Sequence, residues 1–226
     1  MADLDTAVFM QKLAIWALPV LFAITLHEAA HGFVALRGGD STAWMLGRVT
    51  LNPVKHIDPL GTVLLPMLML AFTGFIFGYA KPVPVNFNRL RDIKWGTVKV
   101  ALAGPFTNLL LAIISVGIMW LALLLPQALQ IPLLKMMAAS VMINFILMWL
   151  NLFPILPLDG GRALHALLPR TQQVAFGQTE RYGFIIILIL LLTGILFQLL
   201  MPLLNTSVML LNNFAPVNLF LLANTI

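Results

Sequence analysis

Cysteine is missing from all 226 residues, so disulfides and thiolate ligands are excluded and a metal site has only His, Asp and Glu to draw on. Charge is scarce too: Asp, Glu, Lys and Arg make up 9% of the chain, against 61% hydrophobic residues. A water-soluble domain of this size does not need that balance, and the class expected is an all-α, polytopic membrane protein. No basic run interleaved with aromatics is present, so no nucleic-acid partner is expected. The formal net charge of +5 reads instead as a record of membrane orientation. The start, Met1-Ala2-Asp3-Leu4-Asp5-Thr6, is acidic and lacks both the basic start and the small-residue cleavage site of a signal peptide. The first apolar helix is therefore expected to be retained.

Within that apolar background stands Leu26-His27-Glu28-Ala29-Ala30-His31-Gly32, an H-E-x-x-H motif. On a helix, residues four apart lie one above the other on one face, with Cβ atoms ~5–6 Å apart. Two imidazoles so placed can share a zinc ion, with the intervening glutamate beside it. The lead-in, 13–24, is apolar enough to span a bilayer, so the motif is expected inside the membrane. Ionisable groups there are costly without partners and read as a functional site by default. Three fixed letters also arise by chance, and a His in an apolar helix is often only a packing residue. A third ligand decides between the two.

Taken in order, the chain offers a first helix over about 7–36, with Pro19 as a candidate kink and Arg37-Gly38-Gly39-Asp40 as its stop. An irregular polar stretch follows, in which 44–51 reads as a short strand. Residues 60–79 are apolar but interrupted by Pro66, Gly74 and Gly78. Further helices are expected over 98–125, 133–152 and 183–203, with Pro126 and Pro132 bracketing a turn and an apolar tail over 205–226 of open placement. Lys and Arg cluster in 37–55, 81–99 and 162–181 and are absent from 126–132. By the positive-inside rule the three basic segments share the cytoplasmic side. Segment 60–79 is then a re-entrant hairpin, its irregular backbone tolerated because it is buried in protein or lines a wet cavity. The rival is a true span with one basic loop outside. About four transmembrane helices plus that hairpin make a single membrane-embedded domain over 1–226, with a catalytic core of about 7–165 and a C-terminal helix and tail over 183–226.

Asp159 lies at the cytoplasmic end of the 133–152 helix and His31 near the cytoplasmic end of the first. If both helices run inward, the two motifs reach similar depth and can meet around one metal. HEAAH, the Ala103-Gly104-Pro105-Phe106-Thr107-Asn108 segment and Asn151-Leu152-Phe153-Pro154-Ile155-Leu156-Pro157-Leu158-Asp159-Gly160-Gly161-Arg162, in that order on separate helices, resemble the site-2 protease family of intramembrane zinc metalloproteases. The linking stretches 52–59 and 78–86 resemble its compact prokaryotic branch, without a PDZ-type or CBS-type domain. The resemblance implies one Zn²⁺ per chain held by His27, His31 and Asp159, with Glu28 as catalytic base and Asn108 and Asn151 near the site. It also implies a multi-pass protein of a prokaryotic cytoplasmic membrane, whose substrate is the transmembrane segment of another protein.

Three protein ligands leave a fourth position open, as a catalytic rather than structural zinc requires. Each ligating His is expected to give its other ring N–H to an acceptor that the sequence does not identify. Asn144 lies one heptad before Asn151, on nearly the same helix face, and reads either as a packing residue or, as expected here, as part of the substrate groove. His56 is expected to structure its loop and His165 to be plain surface. Glu180 has no partner legible in the sequence. Two rival functions stand beside the peptidase: a metal-ion transporter, since intramembrane His and Asp also mark ion paths, and a catalytically silent membrane scaffold. Against the first, Glu28 would be a superfluous carboxylate and no internal repeat is found.

Overall fold

The computed structural model describes residues 2–64, 81–223 and 225. Its elements in chain order are α1 (Ala2–Gly38), α2 (Thr42–Met45), short helical turns at Pro53–His56, Pro59–Leu64 and Phe87–Arg89, α3 (Ile93–Ala122), α4 (Gln127–Leu152), α5 (Asp159–Leu167), α6 (Arg170–Gly177), α7 (Glu180–Leu192), α8 (Ile195–Asn212) and α9 (Leu219–Ala223). No strand occurs among the described residues. Among the described residues, four helices are long and apolar enough to cross a membrane: 29 residues of α1, all 30 of α3, 26 of α4 and 18 of α8. At ~1.5 Å per residue even the shortest reaches ~27 Å, about the thickness of a hydrocarbon core. Large apolar side chains such as Phe22, Phe106, Trp120 and Leu124 stay exposed, which suits lipid rather than water.

Helix α3 is the hub, packing on α1, α4 and α5. Its contact with α4 is built on small residues: Ala112 and Ala122 face a neighbourhood that includes Ala138, Ala139 and Val141, all buried. Without bulk in the way the helices approach closely, which is how apolar helices gain contact in a medium as apolar as themselves. Met119 and Phe145 fill the remaining space.

The three basic segments meet at one end of this bundle. The Arg91 N–H donates to the Gly38 carbonyl (2.9 Å), and Arg162 lies over the Phe87 ring at 5.7 Å. Asp40, fully buried, accepts from the Asn86 N–H (2.7 Å) and from the Thr42 N–H (3.0 Å) and hydroxyl. The Lys81 N–H donates to the His56 carbonyl (3.0 Å), so the chain lies at that same end on either side of 60–79. The hairpin itself falls largely on 65–80, outside the described residues. At the opposite end, Trp120 Nε1 donates to the Phe214 carbonyl and Lys135 Nζ to the Thr225 carbonyl, so the tail packs on the far ends of α3 and α4.

Several expectations are corrected. Residues 44–51 form no strand: Thr42–Met45 is helical and closes with Gly47 at φ +62°, the Gly47 N–H on the Trp44 carbonyl and the Arg48 N–H on the Ala43 carbonyl. That pairing is a helix terminus satisfied locally, and it leaves no ladder for a neighbouring strand. The helix expected over 183–203 is two helices, because Gly194 (φ +76°) breaks it and Thr193 Oγ1 bonds back to the Ile189 carbonyl. Pro126 and Pro132 do not bracket a turn. Helix α4 starts directly after Pro126 and runs through Pro132. Helix α3 begins before 98, since Asp92 accepts from the Trp95 N–H (2.9 Å) and caps it at Ile93. Pro19 lies inside α1 without ending it.

Candidate metal centre

His27 and His31 lie on the α1 face that meets α3, and both are buried. Their rings stack edge to face with centroids 4.7 Å apart, as the four-residue spacing requires. Each ring is held by its Nδ1. His27 Nδ1 donates to Asn108 Oδ1 (2.5 Å) and His31 Nδ1 donates to the Val100 carbonyl (2.7 Å), both on α3. A carbonyl oxygen only accepts, so the proton of each neutral imidazole sits on Nδ1 and each Nε2 presents a lone pair.

The orientation of Asn108 is itself fixed. Its Nδ2 donates to Asn144 Oδ1 (2.8 Å), and Asn144 Nδ2 donates to the Ser140 carbonyl (2.8 Å). A chain of donors thus runs His27 → Asn108 → Asn144 → Ser140 and ends on a backbone oxygen that cannot reverse it. Ser115 and Ser140, joined through their hydroxyls at 2.7 Å, extend the network between α3 and α4.

Asp159 is the first residue of α5 and reaches the histidines because glycines let the chain fold back tightly behind it. A Cβ on Gly160 would stand 2.2 Å from the Leu152 carbonyl oxygen, and one on Gly161 2.4 Å from the Ile155 carbonyl carbon. Gly183 of α7 plays the same part from outside, since a Cβ there would meet the Leu156 carbonyl. Asp159 Oδ2 is thereby placed 3.2 Å from His27 Nε2 and 3.3 Å from His31 Nε2, and the two Nε2 atoms are 3.1 Å apart. Asp159 Oδ2 is buried with no hydrogen-bond donor.

With both imidazoles neutral, three lone-pair-bearing atoms converge, a repulsion that a cation at their centre relieves. A tetrahedral zinc with ligand distances of about 2.0–2.1 Å has edges of about 3.3–3.4 Å, close to all three separations. Among the described residues His27, His31 and Asp159 form the one cluster of this kind. Gly104 of α3 completes the cradle: a Cβ there would lie 2.5 Å from Nε2 of both histidines.

Glu28, partly buried, points to the side of this cluster, and its Oε2 accepts from the Val83 N–H (2.8 Å). Pro82 and Pro84 of this strap have no N–H, so between them Val83 alone supplies an amide hydrogen. The strap is held in turn by Arg48, whose Nη2 donates to the Lys81 carbonyl (2.7 Å). A groove of about 730 Å³ opens onto the cluster, lined by Glu28, the 82–85 strap, Leu147, Leu150, Asn151, Phe184 and Ile187 together with the three candidate ligands.

His27, Glu28, His31, Asp159 and Asn151 thus share one groove, whereas Asn108 and Asn144 do not reach it. Both are buried behind His27, at 0% and 1% exposure. Asn108 thus lies near the site, as the resemblance implies, and with Asn144 forms a hydrogen-bonded chain under the first histidine. His56 is buried and its Nε2 lies 3.0 Å from the Thr50 carbonyl, in keeping with a loop-structuring role. Glu180 pairs with Arg162 at 3.0 Å. Gly104 went unread in the sequence although the signal was there: Gly104 and Asn108 are four apart on α3, matching the four-residue step of the histidines they face.

The family model described as "Peptidase family M50" matches residues 117–194, which hold α4, Asp159 and α5 to α7 but not the H-E-x-x-H segment. Relatives match over more of the chain. "Putative zinc metalloprotease YwhC" of Bacillus subtilis (strain 168) is 36% identical over 192 residues, covering 83% of this chain and 84% of that protein. "Putative zinc metalloprotease Rip2" of Mycolicibacterium smegmatis is 33% identical over 198 residues, 82% of this chain and 68% of that protein. Its namesake in Mycobacterium tuberculosis (strain ATCC 25618 / H37Rv) is 31% identical over 186 residues, again 82% and 68%. No solved structure matches the chain. The donor-free triangle of two histidines and an aspartate and this shared descent point the same way: the chain belongs to peptidase family M50, the site-2 proteases, and is a zinc metallopeptidase.

Proposed function

We propose that this zinc metallopeptidase cuts peptide bonds within or near the transmembrane segments of other membrane proteins, with its basic end facing the cytoplasm of a prokaryotic cell. The observation that carries the reading is the placement of the triangle. His27 and His31 lie inside α1, a helix with a 29-residue membrane-crossing stretch, against the membrane-length helix α3. A soluble peptide would have to enter the bilayer to reach them, whereas a membrane-embedded segment is already there.

On this reading His27 Nε2, His31 Nε2 and Asp159 Oδ2 hold the zinc. When bound, the ion supplies Lewis acidity that acidifies water and polarises the scissile carbonyl. Glu28 accepts the proton of the attacking water and passes it to the leaving amine, a general acid–base role for a carboxylate beside the metal. Asn108 keeps the Nε2 lone pair of His27 aimed inward by accepting the Nδ1 proton, and Val100 does the same for His31.

The groove also bears on how a helix becomes a substrate. The carbonyls of a helix are locked in i to i−4 hydrogen bonds, which closes them to attack by water. A span is therefore expected to enter locally unwound, and its freed backbone groups need partners in a medium that offers none. Asn151 lines the groove while its Nδ2 donates to the Leu147 carbonyl (3.0 Å), which leaves its amide oxygen as an acceptor for an unwound segment.

The test is a single-span reporter reconstituted in vesicles with the purified, zinc-loaded chain, assayed for cleavage and, in parallel, for zinc flux. Cleavage inside or beside the span without flux is the expected result. Flux without cleavage would make the chain a transporter, and neither would make it a scaffold.

A further inference from the structure

At the basic end a second cavity, of about 410 Å³, adjoins the groove. Phe87 and Arg162 line both and lie against each other, the guanidinium 5.7 Å from the ring centroid, so groove and cavity are neighbours across that pair. The charged lining of the cavity is uneven: Lys94, Arg162 and Arg170 contribute cations, and Glu180 is the one carboxylate. Glu180 is already paired with Arg162 at 3.0 Å. Lys94 lies over the Trp95 ring and Arg170 donates to the Gln173 side chain, so neither is matched there by an acid. The Arg162–Glu180 pair is itself about one-third to one-half exposed, the kind of pair that exchanges partners at little cost.

Resting on the peptidase reading above, we propose that this cavity is the cytoplasmic vestibule of the substrate groove and that it selects transmembrane substrates whose cytoplasmic flank is acidic. Carboxylates just beyond the span meet Lys94 and Arg170 and compete with Glu180 for Arg162. The same charge works against the commonest bystanders. Membrane proteins carry Lys and Arg on their cytoplasmic flanks, so a cationic vestibule on that side repels most of the proteins sharing the bilayer. Selectivity then comes from rejection as much as from attraction. The groove, mostly apolar, has no comparable means of telling one apolar span from another.

The experiment uses one reporter span whose three residues on the cytoplasmic side are all Glu, all Ser or all Lys, with the zinc-loaded full chain in phosphatidylcholine vesicles. At low salt kcat/KM is expected to fall in the order Glu, Ser, Lys, with about tenfold between the extremes, and the spread should shrink in 0.5 M salt as screening sets in. The Lys94→Glu, Arg170→Glu double variant, neither of whose positions touches the metal site, should invert the order while keeping its zinc. Equal rates on the three flanks with the wild-type chain overturn the vestibule and leave the peptidase reading standing. An unchanged order in the charge-reversed variant, with zinc retained, also overturns it. Failure of the wild-type chain to cut any of the three, with zinc bound, overturns the peptidase reading and the vestibule together.

Discussion

Two aspartates at the basic end, Asp40 buried and Asp159 partly so, make opposite use of the same side chain. Asp40, just past the end of α1, accepts from the Thr42 N–H, the Thr42 hydroxyl and the Asn86 N–H, so each of its oxygens is satisfied. Asp159, at the start of α5, has an Oδ2 that faces two imidazole lone pairs and no donor. Burial makes both groups expensive, and the protein offsets the cost in one place with hydrogen bonds and leaves it uncovered in the other. A buried carboxylate deprived of donors beside two histidines is therefore built for a cation, whereas a buried carboxylate surrounded by donors is a clasp. The charge state of Asp40 agrees: burial alone would raise its pKa, but the Thr42 and Asn86 hydrogen bonds, helped by the nearby Arg89, hold it below the usual carboxylate range.

The largest expected effect separates chemistry from binding within the metal corner. Glu28→Gln should keep its zinc and fold yet lose cleavage by ~10²–10⁴-fold, because an amide cannot take the proton of water. Steady-state kinetics beside a zinc assay reads both. Cleavage at the wild-type rate would hand the base role to another residue.

Next comes the support under His27. Asn108→Ala leaves the Nδ1 proton of His27 without its acceptor and should weaken zinc binding by ~10–100-fold, the usual cost of losing such a partner. Asn144→Ala, one bond further back, should give a smaller loss of the same sign, ~tenfold or less. Chelator competition on purified protein ranks the two. Substrate KM raised in either variant with zinc affinity untouched would return these residues to the substrate groove.

The smallest effect on the metal is expected at the clasp. Asp40→Ala leaves three part-buried donors without this acceptor and should cost ~1–3 kcal/mol of stability with zinc affinity unchanged. The sign with pH follows from the lowered pKa. The contribution of Asp40 is complete above the unfolded carboxylate value of ~3.9 and is lost as pH falls through the lower folded value. Denaturation across acidic pH in detergent should show the wild-type advantage over Asp40→Ala vanish in that direction. An advantage that grew on acidification would contradict it.

How much of this was legible in the sequence depended on distance along the chain. His27, Glu28 and His31 are fixed by the local geometry of one helix, and Asp159 by its place at a helix end on the same side of the membrane. Asn108 lies near the site as the resemblance implies, but whether it and Asn144 face a groove or a neighbouring helix is not legible, because a polar side chain on a membrane helix looks alike in both. The packing of α3 on α4 decides that, through contacts 36 residues apart. Segment 44–51 went wrong for a different reason. Trp44, Met45 and Leu46 have the composition of a strand, but Gly47 in the left-handed region turns them into a closed helical turn. The break in α7–α8 was signalled by Thr193-Gly194 and obscured by the unbroken hydrophobicity around it.

The most direct test of the account is the zinc content of the purified chain compared across the two aspartates. One zinc per chain is predicted for the wild type and for Asp40→Ala, with nearly all of it lost in Asp159→Ala, His27→Ala and His31→Ala. Stoichiometric zinc in Asp159→Ala, or its loss from a folded Asp40→Ala, would contradict the claim that the donor-free carboxylate is the one made for the metal.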